Sequence, residues 1–124
     1  MKIIYKEESY KIVGACFEVY NEFGNGFDEP IYHESLMKEF KFQTLPAVSE
    51  PQVNVFYKGE LLSKYFKPDM VAYDKIIIEL KAVKALNDFH RQQVLNYLKA
   101  TGYKLGILVN FGAELKLEYE RIVL

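Results

Sequence analysis

The sequence predicts an α/β domain in which a mixed β-sheet is flanked by helices, and three observations predict it. Tyr10, Val13, Phe17, Tyr20 and Phe23 recur at three- and four-residue spacing, the period of a helix with one apolar face. Residues 53–83 contain the most β-prone sequence of the chain, broken by turn-forming residues. A helical segment over 88–100 then separates the run Ile76-Ile77-Ile78 from a second apolar strand, Leu105 to Val109. Two strands joined through a helix are expected to lie parallel, with a right-handed crossover. The expected element order is ααβββαββ, in a single domain spanning residues 1–124.

Each element has a local reason. Ser9 is placed to cap the first helix, and Gly24-Asn25-Gly26 ends it with residues that accept left-handed backbone. The second helix follows at once: Asp28 suits its N-cap and Pro30 its first turn, while Ile31, Leu36, Met37 and Phe40 supply apolar contacts. Periodicity fails from Gln43 to Ser49, where Pro46 and Pro51 argue for a loop or a strand edge. Val53, Val55 and Tyr57 mark a half-buried strand, and Lys58-Gly59 turns it into Leu61 to Phe66. After Pro68, residues 70–83 read as two short strands about a tight turn at Asp74-Lys75. Asn87 is the expected N-cap of the third helix and Gly102 its stop; Leu117 to Leu124 forms the closing strand.

Composition narrows the function. One chain of 124 residues, half of them hydrophobic, is enough for a proper core. A formal net charge of −1 supplies no global field to concentrate nucleic acid, so polyanion binding would need a local basic patch or a metal ion. Lys38, Lys41, Lys58, Lys64, Lys67, Lys84, Arg91, Lys99 and Lys104 are scattered, which suits a solvated surface with a few cations near a cleft. Cys16 is the only cysteine, which rules out an intramolecular disulfide, and its apolar setting makes it a buried structural thiol. His33 and His90 have no metal-ligand partner at suitable spacing and are expected in solvent. No apolar run approaches the ~20 residues of a membrane span and no signal-peptide core is present, so a soluble cytoplasmic protein is expected.

The chemistry is concentrated in Pro68-Asp69 and Glu79-Leu80-Lys81. Alternation along a strand puts Ile77, Glu79 and Lys81 on one face, and a hairpin returns Asp69 toward Glu79. Carboxylates and an ammonium carried toward an interior strand lose hydration at a cost of several kcal/mol per ion, and a divalent cation is the usual compensation. Mg²⁺ often takes only one or two carboxylates and keeps sites for water and phosphate, which fits Asp69, Glu79 and the backbone carbonyl of Leu80. Lys81 could orient or help deprotonate a water, or stabilise charge building on a phosphate. A plainer reading stays open, in which Glu79 and Lys81 pair as ions on a sheet surface and Asp69 ends a turn.

These residues resemble the PD-(D/E)xK nuclease superfamily. Gly26-Phe27-Asp28-Glu29-Pro30-Ile31-Tyr32 reads G-x-x-E-x-x-Y, the motif that names the GxxExxY family within it, and Gln93-Val94-Leu95-Asn96-Tyr97 reads Q-x-x-x-Y, as in the RecB-like branch. The resemblance runs from the first helix to the terminal strand, and it implies a restriction-endonuclease-like core and metal-dependent phosphodiester hydrolysis with Mg²⁺ or Mn²⁺. It further implies that Asp69 and Glu79 are metal ligands and Lys81 the catalytic lysine. Glu29 becomes an additional acid of the site, and Gln93 and Tyr97 line it. Nucleic acid, DNA before RNA, is the implied partner. The alternative is a nuclease-fold module that binds nucleic acid or a protein with little or no cleavage, since so small a domain leaves little surface for a duplex footprint of ~1,000 Å². A homodimer would double that footprint.

Overall fold

The computed structural model describes residues 2–124. Two helices open the chain, α1 (Lys6–Phe23) and α2 (Glu29–Phe42), followed by strands β1 (Ala47–Ser49), β2 (Val53–Tyr57), β3 (Glu60–Phe66), β4 (Met70–Ala72) and β5 (Ile76–Lys81). Helix α3 (Asp88–Thr101) leads to β6 (Leu105–Asn110) and β7 (Glu118–Val123). The meander before α3 thus holds five strands where the order ααβββαββ has three. The Pro-flanked segment 47–49 pairs as an edge strand, and the two arms about residues 73–75 are the two short strands read from residues 70–83, which the condensed order ααβββαββ does not count separately.

One mixed sheet has the order β1-β4-β5-β6-β7, while β2 and β3 form a separate two-stranded ribbon. The parallel pair is β5 with β6, as the connecting helix requires; the other pairs are antiparallel. Alternation along β5 divides the core between the two faces of the sheet. Ile76, Ile78 and Leu80 pack with α1 and α2, whereas Ile77 packs with Val94 and Leu98 of α3. Gly106 on β6 allows α3 to lie close, because a Cβ there would meet Val94 Cγ1 at 2.4 Å.

Several local expectations change. The buried face of α1 is Ile12, Ala15, Cys16 and Val19, while Tyr10, Phe17 and Phe23 are exposed. That helix starts at Lys6, so Ser9 lies inside it and is buried, its hydroxyl accepting from Arg121 Nε. Asp28 does occupy the α2 N-cap but makes no side-chain capping bond, and Ile31 faces outward. At the β4–β5 turn the left-handed residues are Tyr73 and Asp74, one position earlier than Asp74-Lys75. Cys16 is buried, and burial pushes its thiol up to about 12, which suits a structural role. Among the described residues no helix is long and apolar enough to cross a membrane.

Candidate active site

The β4–β5 hairpin brings the two leading carboxylates together. Its register pairs Met70 with Ile78 and Val71 with Ile77, so the next position along sets Asp69 against Glu79. The pair is then locked reciprocally. The backbone N–H of Asp69 donates to Glu79 Oε1 at 2.9 Å, and the N–H of Leu80 donates to Asp69 Oδ2 at 2.8 Å. Each carboxyl therefore spends one oxygen on backbone, and its second oxygen has no hydrogen-bond partner among the described residues. Among the described residues no fully buried side-chain nitrogen or oxygen lacks a partner, so those free oxygens retain access to solvent.

Around this pair the other expected residues converge. Glu79 and Lys81 share the face of β5 that looks toward α3, as alternation requires. Lys81 Nζ donates to Gln93 Oε1 at 3.2 Å, and Gln93 Nε2 donates to the Tyr97 hydroxyl at 3.4 Å. Gln93 and Tyr97 lie one turn apart on α3, which the Asn87–His90 capping box starts and Gly102, at φ 80°, ends. Phe66 at the end of β3 packs against Tyr97 with ring centroids 4.7 Å apart. Glu29 enters from the other side, in the first turn of α2, close enough that Asp69 and Lys81 both act on its charge.

The electrostatics identify an excess of negative charge. Glu79 is only 4% exposed. Burial foremost, and then the neighbouring charge of Asp69, push its carboxyl up to about 8, against the opposing pull of the Asp69 N–H and Lys81. Glu29 is raised for the same reasons, burial first and Asp69 second, with Lys81 and His33 opposing. Tyr97 is raised by burial and by the charges of Glu79 and Asp69. The ionic pairing of Glu79 with Lys81 on a sheet surface is not what forms: Glu79 is buried, and the Lys81 ammonium bonds to Gln93.

This donor set suits a hard divalent ion. Among the described residues no three His, Cys, Asp or Glu side chains converge as a ready cage. Two carboxylates with one free oxygen apiece and a surplus of negative charge nevertheless match an ion that keeps much of its water. Asp69 also borders a cleft of about 730 Å³ lined by Glu29, His33, Ser49 and Glu50.

Two placements, those of the histidines, were not expected from the sequence. His33 is half-buried, and its Nε2 lies 2.7 Å from Ser49 Oγ on the cleft wall. Its spacing of one helical turn from Glu29 is a signal that could have found it, whereas nothing local marks Ser49. His90 is half-buried too, its Nδ1 accepting from the Asn87 N–H. Tyr32 stays outside the site: it is fully buried, donates to the Gly24 carbonyl at 2.5 Å and stacks on Phe111.

Comparison with known proteins adds to this geometry. Residues 6–122 match the family model described as the PD-(D/E)XK nuclease superfamily. No curated protein matches the chain significantly. Among solved structures, that titled "Crystal structure of SSO0001" superimposes with a TM-score of 0.57 at 22% identity, over 76% of this chain and 49% of that one. At that identity the likeness is one of fold, and the chain spans about half the length of that protein.

Proposed function

The chain belongs to the PD-(D/E)XK nuclease superfamily, and on that premise we propose that it hydrolyses phosphodiester bonds in nucleic acid, DNA foremost, with Mg²⁺ or Mn²⁺. The single observation that carries this reading is the reciprocal lock of Asp69 and Glu79, which leaves one free oxygen on each carboxyl beside a lysine. Gly26, Glu29 and Tyr32 support placement in the GxxExxY branch, with Tyr32 bracing the Gly24–Glu29 connection instead of touching substrate.

In the proposed mechanism Asp69, Glu79 and the Leu80 carbonyl hold the ion, which when bound neutralises phosphate charge and lowers the pKa of water. Glu29 adds negative charge at the edge of this set. Lys81 orients the attacking water, whose proton passes to solvent, and its ammonium stabilises the charge gathering on the hydroxide or on the phosphoryl oxygens. Gln93 fixes the ammonium through one of its three N–H bonds, leaving two for water and phosphate. Tyr97 in turn holds the Gln93 amide.

The test is direct. Purified protein is incubated with Mg²⁺ or Mn²⁺ and a panel of single-stranded, duplex and branched DNA and RNA, with EDTA as the control. Metal-dependent cleavage that disappears in Glu79→Gln supports the reading. Intact substrate across the whole panel would leave the binding-module alternative in its place.

A further inference from the structure

The ribbon of β2 and β3 stands apart from the main sheet and has an unusual outer face. Cross-strand partners lie on one face, and the register pairs Val53 with Phe66, Asn54 with Tyr65 and Phe56 with Leu61. Val53, Val55 and Phe66 are half-buried on the side toward α3, where Phe66 meets Tyr97. The opposite face carries Phe56, Leu61 and Tyr65, exposed by 58%, 60% and 48%. Such a two-stranded ribbon is marginal by itself in water, so large exposed rings on it require a reason.

Charge indicates what covers them. Residues 53–67 hold Lys58, Lys64 and Lys67, all exposed, against one acid, Glu60. The cleft on the other side of the site is walled by Glu29, Glu34, Glu50 and Asp69. A polyanion is repelled there and attracted to the ribbon. The ribbon is also continuous with the site: Phe66-Lys67-Pro68 runs straight into Asp69, a reach of about 10 Å in extended chain. Exposed rings flanked by Lys58 at the turn and Lys67 at the end next to the site suit unpaired bases, which offer their faces for stacking while the cations follow the phosphates. A duplex keeps those faces covered.

We propose that the β2–β3 ribbon is a stacking platform for single-stranded nucleic acid, delivering an unpaired strand past Lys67 to the Asp69–Glu79 site. This assignment of substrate class rests on the nuclease reading of that site, yet it is separable from it by experiment.

The measurement is fluorescence anisotropy of end-labelled single strands and of the matched duplex, in EDTA so that nothing is cut, with DNA and RNA strands of one sequence as parallel arms. Wild type binds the single strand more tightly than the duplex, and the two arms show which sugar is preferred. Phe56→Ala and Tyr65→Ala each weaken single-strand binding about fivefold or more, while Tyr65→Phe, which keeps the ring, retains it. Lys58→Ser with Lys67→Ser weakens binding and flattens its salt dependence. Both rings are exposed, so thermal melts of the Ala variants should match wild type; if either variant is unstable, Tyr65→Phe against Tyr65→Ser provides the same comparison. Unchanged single-strand affinity in the ring variants, or tighter binding of duplex, overturns the platform even if the enzyme cleaves. Glu79→Gln should keep single-strand affinity in EDTA. Wild type that binds the strand through these rings but never cleaves it with metal leaves the platform standing and removes the nuclease reading instead.

Discussion

Two charged clusters on α3 and its neighbouring strands resolve their charges in opposite ways. Arg91 of α3 reaches Glu120 of β7 with two parallel bonds, Nε to Oε1 at 2.8 Å and Nη2 to Oε2 at 2.7 Å, and adds Asp88 through Nη1 at 2.9 Å. The guanidinium holds the Glu120 carboxyl below the usual range, and the carboxylates raise Arg91 further. Glu79 faces the same helix but is buried, and the charge that acts on it most is the Asp69 carboxylate, not a guanidinium, so its pKa moves up. The lysine that could have answered it is held by Gln93. One cluster is complete within the protein. The other, in the reading proposed above, is completed by a cation from outside, and that asymmetry is our reason for proposing the second as the site for function.

The comparison breaks most visibly in activity. Asp69→Asn, Glu79→Gln and Lys81→Ala should each lower metal-dependent cleavage at least ~100-fold, since each removes a proposed ligand or the group proposed to orient water. Arg91→Ala and Glu120→Gln should leave cleavage near the wild-type rate. An Arg91→Ala enzyme as impaired as Glu79→Gln would erase the distinction between the clusters. The assay is initial rate on the best substrate of the panel at saturating Mn²⁺.

Stability sharpens the contrast without any substrate. Glu79→Gln removes repulsion from a partly dry cluster, so in EDTA it should melt at or above the wild-type temperature. It should also lose the stabilisation that Mg²⁺ or Mn²⁺ gives wild type, about 1.4 kcal/mol at ten times Kd. Arg91→Ala strands Glu120 and should melt lower in EDTA, with the metal-induced gain intact. Thermal melts of the three proteins with EDTA and with excess metal decide it; a Glu79→Gln protein that melts well below wild type in EDTA, with metal inert on both, would make Glu79 structural.

pH gives the two clusters opposite signs. Glu79 is raised in the fold to about 8 from the ordinary carboxyl value of 4.5. Between those values the folded state holds a proton that the unfolded chain has lost, so apo stability should fall as pH rises from about 4.5 to about 8, by on the order of a few kcal/mol, and level off above. Metal replaces that proton, so the metal-induced gain should grow over the same interval. Glu120 is lowered in the fold, so its contribution is present above the unfolded carboxyl range and is lost as pH falls through its folded pKa. Melting in EDTA from pH 5 to 9, wild type against Glu79→Gln, tests the slope; parallel curves would deny Glu79 its raised pKa.

Much of this was legible because it is local. The ten-residue gap from Asp69 to Glu79 with a turn between them sets their register, and the one-turn spacing of Gln93 and Tyr97 sets a shared helix face. The parallel pairing of β5 and β6 followed from the helix between them. What failed was choice of face. Helix α1 has apolar residues on both sides, and the larger aromatic set, Tyr10, Phe17 and Phe23, outweighs Ile12, Ala15, Cys16 and Val19 when read by size. Packing against the sheet selected the smaller residues, which allow close approach, kept Val13 and Tyr20 at the core edge, and left Tyr10, Phe17 and Phe23 outside. The His33–Ser49 contact joins α2 to β1 across the cleft, and no local pattern reports a pairing between elements.

The smallest effect concerns the residues that hold Lys81 without completing the charge. Gln93→Ala removes the one hydrogen bond the ammonium makes among the described residues, and Tyr97→Phe removes a long, 3.4 Å bond to the Gln93 amide. A freed Lys81 remains beside Glu79 and Asp69, and the attraction of those carboxylates keeps it near the site. Gln93→Ala should therefore reduce cleavage about tenfold, the equivalent of a single hydrogen bond of ~1.4 kcal/mol, and Tyr97→Phe less than that. The freed ammonium can turn toward Glu79 and stabilise its ionised form, so Gln93→Ala should also lower the pH at which apo stability stops falling. That second readout separates positioning from mere packing: a cavity under α3 would lower the melting temperature at every pH alike, whereas release of Lys81 shifts the profile along the pH axis. A uniform drop with no shift would assign Gln93 to packing, and the charge asymmetry between the two clusters would then owe nothing to how Lys81 is held.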